Sequence, residues 1–316
     1  MATLKDVAKR ANISKMTVSR VINHPQLVTS ELRELVYQAM QDLNYQPNSA
    51  ARALVSNRTM VIKVLILEQM DITEPYYMNL LTGISKQLDK YNYALQLVTE
   101  NTVDLGQSDG LIVTGMKEPD YEWLQKFEKP LVVFGENNHN VPYVDSNNRK
   151  GAITATKYAM SRGYDHVVFV GLNVPERFEK EREKGYLEAI QASKTNHQPH
   201  IIRISNSSSK AEAMVRDELE LIPNTCFVCG SDRIAIGIQQ GLTALDKAHP
   251  EDYGIIGFDG VFLDQIASPK LTTMKQHIVE MGGAVVNQLM TLIDTGKLDQ
   301  QAVYFDAELV VRQSTK

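Results

Sequence analysis

The chain has 316 residues, 43% hydrophobic and 22% charged, with a formal net charge of −5. It is longer than one typical domain and has the make-up of a soluble globular protein. No apolar run approaches the length of a membrane span and nothing at the N-terminus resembles a signal peptide, which argues against a membrane or secreted protein and for a cytoplasmic address. The charge is uneven: residues 1–58 hold eight Lys/Arg against four Asp/Glu, net +4, and the remainder holds 25 against 34, net −9. A basic end on an acidic body suits a protein that touches phosphate at one end only.

In chain order, Leu4, Val7, Ala8 and Ala11 form the apolar stripe of a short helix, which Thr3 and Asp6 start as a capping box. Asn12-Ile13-Ser14 reads as a tight turn, with Ser14 capping a second helix that turns Val18, Val21 and Ile22 inward. Two short helices and a tight turn make a helix-turn-helix, and the second helix leaves Lys15, Met16, Thr17, Ser19 and Arg20 for a major groove. An ordinary helical hairpin fits the same periodicity; the local positive charge favours DNA. Thr29 caps a third helix with Leu32, Leu35, Val36, Ala39 and Leu43 on one face, closing a mini-core small enough to be marginal alone. Pro47 ends this part, and Asn48 can cap a segment over 49–55, about two turns long and too short to stand alone as a helix in water. Composition alone reads that segment as a linker. The expected boundaries are 1–46 for the helix-turn-helix domain, 47–59 for the linker and 60–316 for the body.

Beyond residue 60 strands alternate with helices. Strands are predicted over 61–67, 93–98, 110–114, 131–134, 166–170, 200–204, 226–229 and 254–257. Helices are predicted over 76–91, 121–127, 151–162, 182–192, 211–220, 233–247 and 278–294. Such alternation predicts doubly wound parallel sheets, and two runs of it predict two α/β lobes with a cleft between them. The break is placed near 161–163 and a re-crossing near 274–278. Cys226 and Cys229 fall on one apolar strand, where residues three apart face opposite ways, so they read as structural thiols rather than a redox or zinc pair. Only about a dozen residues, 99–110, join the second and third strands, short for a parallel crossover.

Residues 3–23, TLKDVAKRANISKMTVSRVIN, with Leu43-Asn44-Tyr45-Gln46-Pro47-Asn48 and Ala50-Ala51-Arg52-Ala53-Leu54, resemble the headpiece of the lactose/purine-repressor (LacI/GalR) family without a gap over about the first sixty residues. The rest matches more loosely. The resemblance implies a periplasmic-binding-protein-like body behind an all-α headpiece. It implies that Arg20 contacts a guanine edge, that Lys15 and Met16 help choose neighbouring bases, and that Thr3, Thr17, Ser19 and Asn23 sit on phosphates. Tyr45, Asn48 and Ala51 join the DNA-contacting set by the same resemblance. The 49–55 segment becomes a hinge helix, paired with a second copy in the minor groove, with Leu54 as the wedge that opens a base step.

Ligands bind at strand C-terminal ends in such sheets. Tyr76 and Tyr77 match the family's aromatic pair, and either stack on a sugar or base or pack at a helix start. In Asp145-Ser146-Asn147-Asn148, Asn147 stands where relatives carry Asp and Asn148 matches their Asn; a surface turn explains the cluster equally. Arg182 matches Arg-x-x-Gly-Tyr/Phe, and its guanidinium fork suits bidentate contact with ligand oxygens, with Phe178 in the same pocket; a solvated helix face is the plain alternative. Asp259 is assigned to ligand. Asp232 is a second ligand candidate, although a helix cap suits it better. The family usually has a full helix where 99–110 lies, so one face of the first sheet is expected to be less covered than in relatives.

No Gly-x-Ser-x-Gly, Walker loop, metal-spaced His cluster or Gly-x-Gly-x-x-Gly follows a strand, so no enzyme, metal site or cofactor is expected. The resulting expectation is a homodimeric repressor that binds a near-palindromic operator in double-stranded DNA, controlled by a small molecule, a sugar or sugar derivative, in the cleft. Two alternatives remain open: control by a regulatory protein partner, as in catabolite-control members, and a cytoplasmic sugar-binding module without DNA function.

Overall fold

The computed structural model describes residues 2–23, 27–45, 58–68, 75–99, 106–124, 127–193 and 197–316. The 49–55 segment, and with it Asn48, Ala51 and Leu54, lies outside the described residues. The chain divides into two compact units, Met1–Met60 and Val61–Lys316.

Among the described residues the first unit has three helices, α1 (Leu4–Arg10), α2 (Lys15–Asn23) and α3 (Ser30–Asp42). Both halves of the Thr3/Asp6 capping box are present, with the Asp6 carboxylate accepting from the Thr3 amide at 2.8 Å. Asn12 takes the left-handed backbone (φ 53°) that turns the chain, and the Ser14 hydroxyl accepts from the Thr17 amide at 3.0 Å to start α2. Val7, Ala8, Val18, Val21, Val36 and Ala39 meet as the core. Leu35 departs from expectation. It is 46% exposed, because Leu32, Val36 and Ala39 already fill the narrow stripe that so small a core can bury.

The second unit holds two six-stranded sheets. The first has the order β11-β5-β4-β3-β1-β2, built from β1 (Val61–Ile66), β2 (Ala94–Thr99), β3 (Gly110–Thr114), β4 (Leu131–Phe134), β5 (Tyr143–Ser146) and β11 (Ala302–Phe305), all parallel. The second has the order β12-β10-β9-β8-β6-β7, built from β6 (His166–Leu172), β7 (His200–Ile204), β8 (Thr225–Cys229), β9 (Tyr253–Asp259), β10 (Thr272–Lys275) and β12 (Glu308–Val310), with only β12 antiparallel. Alternation along β6 sends Val168, Val170 and Leu172 to one core and Val167 and Phe169 to the other, so both faces of the second sheet are covered. Cys226 and Cys229 fall into these two different cores, are free, and have their thiols pushed up by burial.

Helix α4 (Pro75–Tyr91) packs on α11 (Ile278–Thr295) in the first lobe, and α6 (Asn148–Ser161) packs on α7 (Arg177–Gln191) in the second. Each pair is close enough to need glycine. A Cβ on Gly83 would meet the Val279 carbonyl oxygen at 2.1 Å, and one on Gly185 would meet that of Arg149 at 2.3 Å. The remaining helices are α5 (Asp120–Leu124), α8 (Ser208–Ala213), α9 (Asp232–Ala244) and α10 (Leu263–Ile266), with a π-helical turn, Met214–Glu218, continuing α8. No described helix is long and apolar enough to cross a membrane.

Three details correct the sequence reading. The first crossing between lobes is at 146–148, not near 161–163, because α6 packs on the second sheet. The chain recrosses between β10 and α11, and a third time between β11 and β12. Strands β5, β10, β11 and β12 carry too few apolar residues, and too little chain between them, to show the alternation that marks the others. On the short 99–110 connection, residues 106–109 are not helical, and Leu97 on the edge strand β2 is 41% exposed.

Candidate functional site

In the first unit α2 presents a face of Lys15, Met16 and Arg20, with Met16 72% exposed. Thr17 and Ser19 are half-buried, and the Thr17 hydroxyl lies 2.7 Å from that of Ser14. The Thr3 hydroxyl donates to Asp6 at 2.7 Å, Asn23 is the last residue of α2, and Tyr45 packs against the three-helix core. A small apolar core thus holds one helix with polar and cationic groups outward, the shape that a major groove accepts.

In the second unit the C-terminal strand ends of both sheets line one cavity of about 670 Å³. The two sheets meet at its closed end. There the Ser146 hydroxyl, at the end of β5, donates to the Gln276 side-chain oxygen, just after β10. The Gln276 amide donates in turn to Asp259 at 2.6 Å. Asp259 ends β9 with φ at 123°, a conformation that costs a non-glycine residue energy and lies here at the cavity wall.

Arg182, on α7, is buried beside this relay. It donates to the Asn148 side chain at 2.9 Å and to the Gly230 carbonyl at 2.5 Å, and its guanidinium lies 4.0 Å from Asp259. Its carbon centre sits 3.7 Å above the ring centroid of Phe258 and 5.0 Å from that of Phe178. The fork is therefore held in one orientation by groups from three elements. On the opposite wall Tyr76 stands edge-on to Tyr77 and Phe134, with centroids at 5.5 and 6.4 Å, and Tyr77 donates to Glu68. Burial, then the Asp145 and Asp259 carboxylates, push the Tyr76 hydroxyl well above its usual range, so it remains a neutral hydrogen-bonding group. Burial raises Asp145 to about 6 against the Glu136 and Ser146 amides that hydrogen-bond it. An ion pair spans the cleft: Arg177, at the start of α7, meets Glu136, after β4, at 2.7 Å and donates to Asn138 at 2.6 Å.

Of the predicted ligand residues, Tyr76, Tyr77, Phe178, Arg182 and Asp259 line the cavity, whereas Asn147 and Asp232 do not. Asn147 caps α6, accepting from the Lys150 amide at 3.2 Å, and donates to Asp306 on the third crossing at 3.3 Å. Asp232 is buried in the second lobe. It accepts from Thr273 at 2.5 Å and from the Gly260 amide at 2.8 Å, and Ser231 is the cap of α9. Glu136, Arg177 and Gln276 also line the cavity without being expected there, and in the cluster 145–148 the lining residue is Asp145 rather than Asn147. Asp145 and Gln276 end or follow strands too short to register as a pattern, and Arg177 was masked by the charge-dense run 176–184.

Among the described residues, no group of three or more His, Cys, Asp or Glu is placed to hold a metal ion. Burial and the nearby Asp264 raise Asp232 to about 7, against hydrogen bonds from Thr273 and the Gly260 and Val261 amides. A carboxyl raised in the folded state binds its proton more tightly there than in the unfolded chain. Its contribution to stability is therefore largest at low pH and falls as pH rises from about 4 to about 7. Asp232→Asn is expected to gain stability relative to the parent between pH 5 and pH 8. Urea midpoints at the two values check this; an unchanged difference would show that Asp232 does not carry the penalty.

Comparison with known proteins agrees with the architecture. Residues 3–48 match bacterial regulatory proteins of the lacI family, and residues 156–315 match a periplasmic binding protein-like domain. A lacI-type helix-turn-helix unit followed in the same chain by a periplasmic binding protein-like body defines a DNA-binding transcriptional regulator as the class. The chain is 53% identical, over all of both sequences, to the uncharacterised HTH-type transcriptional regulator YvdE of Bacillus subtilis (strain 168). It is 30% identical to the ribose operon repressor of Halalkalibacterium halodurans, over 100% of this chain and 98% of that one. The fold is that of the regulator CelR in complex with cellobiose (TM-score 0.74, 23% identity, 99% and 100% coverage). It is equally that of the lac repressor dimer bound to operator (TM-score 0.74, 20% identity, 99% of each). The chain belongs to the LacI family of transcriptional regulators.

Proposed function

We propose that the chain is a homodimeric cytoplasmic repressor whose headpiece reads a near-palindromic operator and whose body adjusts that affinity when a sugar fills the cleft. The observation that carries the ligand reading is Arg182, fixed by Asn148, Gly230 and Asp259 and facing a cavity walled by aromatic rings. Rings stack on the apolar faces of sugars, and oriented amides, carboxylates and guanidiniums meet their hydroxyls. Relatives and neighbours of this chain include a ribose operon repressor and a regulator bound to cellobiose, which supports a sugar as the effector class.

On the DNA side, Arg20 is assigned a guanine edge, Lys15 and Met16 the neighbouring bases, and Thr3, Thr17, Ser19, Asn23 and Tyr45 the backbone. The thymine methyl suits Met16. The 47–59 linker, with Asn48, Ala51 and the Leu54 wedge, is assigned to the minor groove of the paired half-sites. The body acts through its three crossings, which sugar binding reorients. Gel shifts on the region upstream of its own operon, with and without a sugar panel, test the whole reading; failure to bind any palindrome at low salt would refute it.

The Arg177–Glu136 pair gives a narrower expectation. An ion pair across a closing cleft slows ligand escape more than ligand entry. Arg177→Ala is expected to raise the sugar dissociation rate about two- to fivefold, within the range of a partly exposed pair. Stopped-flow displacement reads this directly, and an unchanged rate would mean that the pair does not gate the cleft.

A further inference from the structure

Given a sugar as effector, the reading on which this inference rests, we infer that the cleft takes a neutral oligosaccharide of at least two rings and discriminates against single sugars and sugar phosphates. The strands themselves act as a ruler. In the first sheet the lining runs from Asp145 at β5, through β4 and β3, to Glu68 beyond β1, three strand spacings. In the second it runs from Gln276 after β10, through β9, β8 and β6, to Asn206 after β7, four spacings. At about 4.8 Å per spacing these walls are about 14 and 19 Å long. A pyranose ring covers roughly one spacing. One ring therefore occupies a fraction of the cavity, whose 670 Å³ is ample for two.

The Ser146–Gln276 hydrogen bond fixes which ends oppose one another. Asp145, Asp259, Arg182 and Gln276 gather at the closed end, a complete set of partners for one ring. At the other end the Glu68–Tyr77 pair faces the side of the cleft that carries Asn206, itself accepting from Ser231 at 2.7 Å. Along the first sheet that second polar and aromatic group begins three strand spacings from Asp145. It is placed to receive a further ring.

Charge decides against phosphate. Five carboxylates (Glu68, Glu136, Asp145, Glu176, Asp259) and three guanidiniums (Arg177, Arg182, Arg233) line the cavity. Arg177 is paired with Glu136, and Arg182 is engaged by Asn148, Gly230 and Asp259. A dianion entering here meets an acidic excess and would have to displace these partners, whereas hydroxyls accept and donate within the existing network.

The test is calorimetry of the full chain against maltose, cellobiose, sucrose, trehalose and lactose, with glucose, galactose, fructose, ribose and glucose phosphate beside them. At least one disaccharide should bind about tenfold or more tighter than each of its component monosaccharides, ribose and glucose phosphate. Glu68→Ala should cut the affinity for that disaccharide severalfold and change the weak monosaccharide affinity far less. A monosaccharide that binds as tightly as every disaccharide overturns the inferred length, and tighter binding of glucose phosphate than of glucose overturns the inferred neutrality. Either result leaves sugar control intact. Binding of no sugar at all overturns the underlying reading itself, and points to a partner protein as the controlling signal.

Discussion

Replacing Arg182 with methionine is expected to abolish effector binding, with an affinity loss of about a hundredfold or more, and to lower the stability of the body by about 3 kcal/mol. The side chain is buried, and its removal strips a partner from Asn148 and Gly230 and leaves the Asp259 carboxylate without its neighbouring cation. Methionine keeps an unbranched apolar stem but supplies no donor and loses the guanidinium that lies over Phe258 and Phe178. Urea unfolding and calorimetry separate the two effects. Lysine at the same position retains charge without the fork, so Arg182→Lys should recover part of the stability and little of the affinity. Wild-type affinity in both variants would remove Arg182 from the binding site.

Arg20→Ala is expected to leave a protein that still binds DNA but no longer chooses among sequences. Loss of one bidentate guanine contact costs about 1–3 kcal/mol per half-site, and a two-fold operator contains two. The variant should fall to weak binding whose salt dependence stays steep, because its remaining basic residues still displace counterions from phosphates. Arg20 is exposed on α2, and the core beneath is made by Val18 and Val21, so folding of the headpiece should be unchanged. Selection from a random DNA pool with parent and variant gives the comparison; identical selected sequences would strip Arg20 of its assigned role.

Much of the architecture could be read before any coordinates. The Thr3/Asp6 box, the Asn12 turn and the Ser14 cap are local devices, written within a few residues, and all three occur as expected. The alternating strands and helices of the body carry their periodicity over enough residues to register. The crossings do not. Each joins two lobes within a few residues at 146–148, 275–278 and 305–308, so the pattern shows no break, and the boundary was misplaced onto the end of α6.

The cleft was legible only in part, for a related reason. Arg182, Phe178, Asp259 and the tyrosine pair lie in motifs that can be recognised along the chain. Gln276 and Arg177 gain their meaning from partners distant in the chain, Ser146 for the one and Glu136 for the other, and Asp145 from its place on the cavity wall. Asn147 and Asp232 show the converse. Both occupy promising sequence positions, yet a local hydrogen bond makes one a helix cap, and bonds to Thr273 and Gly260 hold the other in the interior of the second lobe.

Occupancy of the cleft in the second unit is expected to change how the first unit binds DNA. Fluorescence anisotropy of a labelled palindrome, obtained by selection with the full chain, measures this directly when titrated with and without the saturating sugar from the calorimetric panel. Operator affinity should change about tenfold or more, with no change in Arg182→Met and none on non-specific DNA. Equal operator affinity with the cleft empty and with it filled would contradict this expectation.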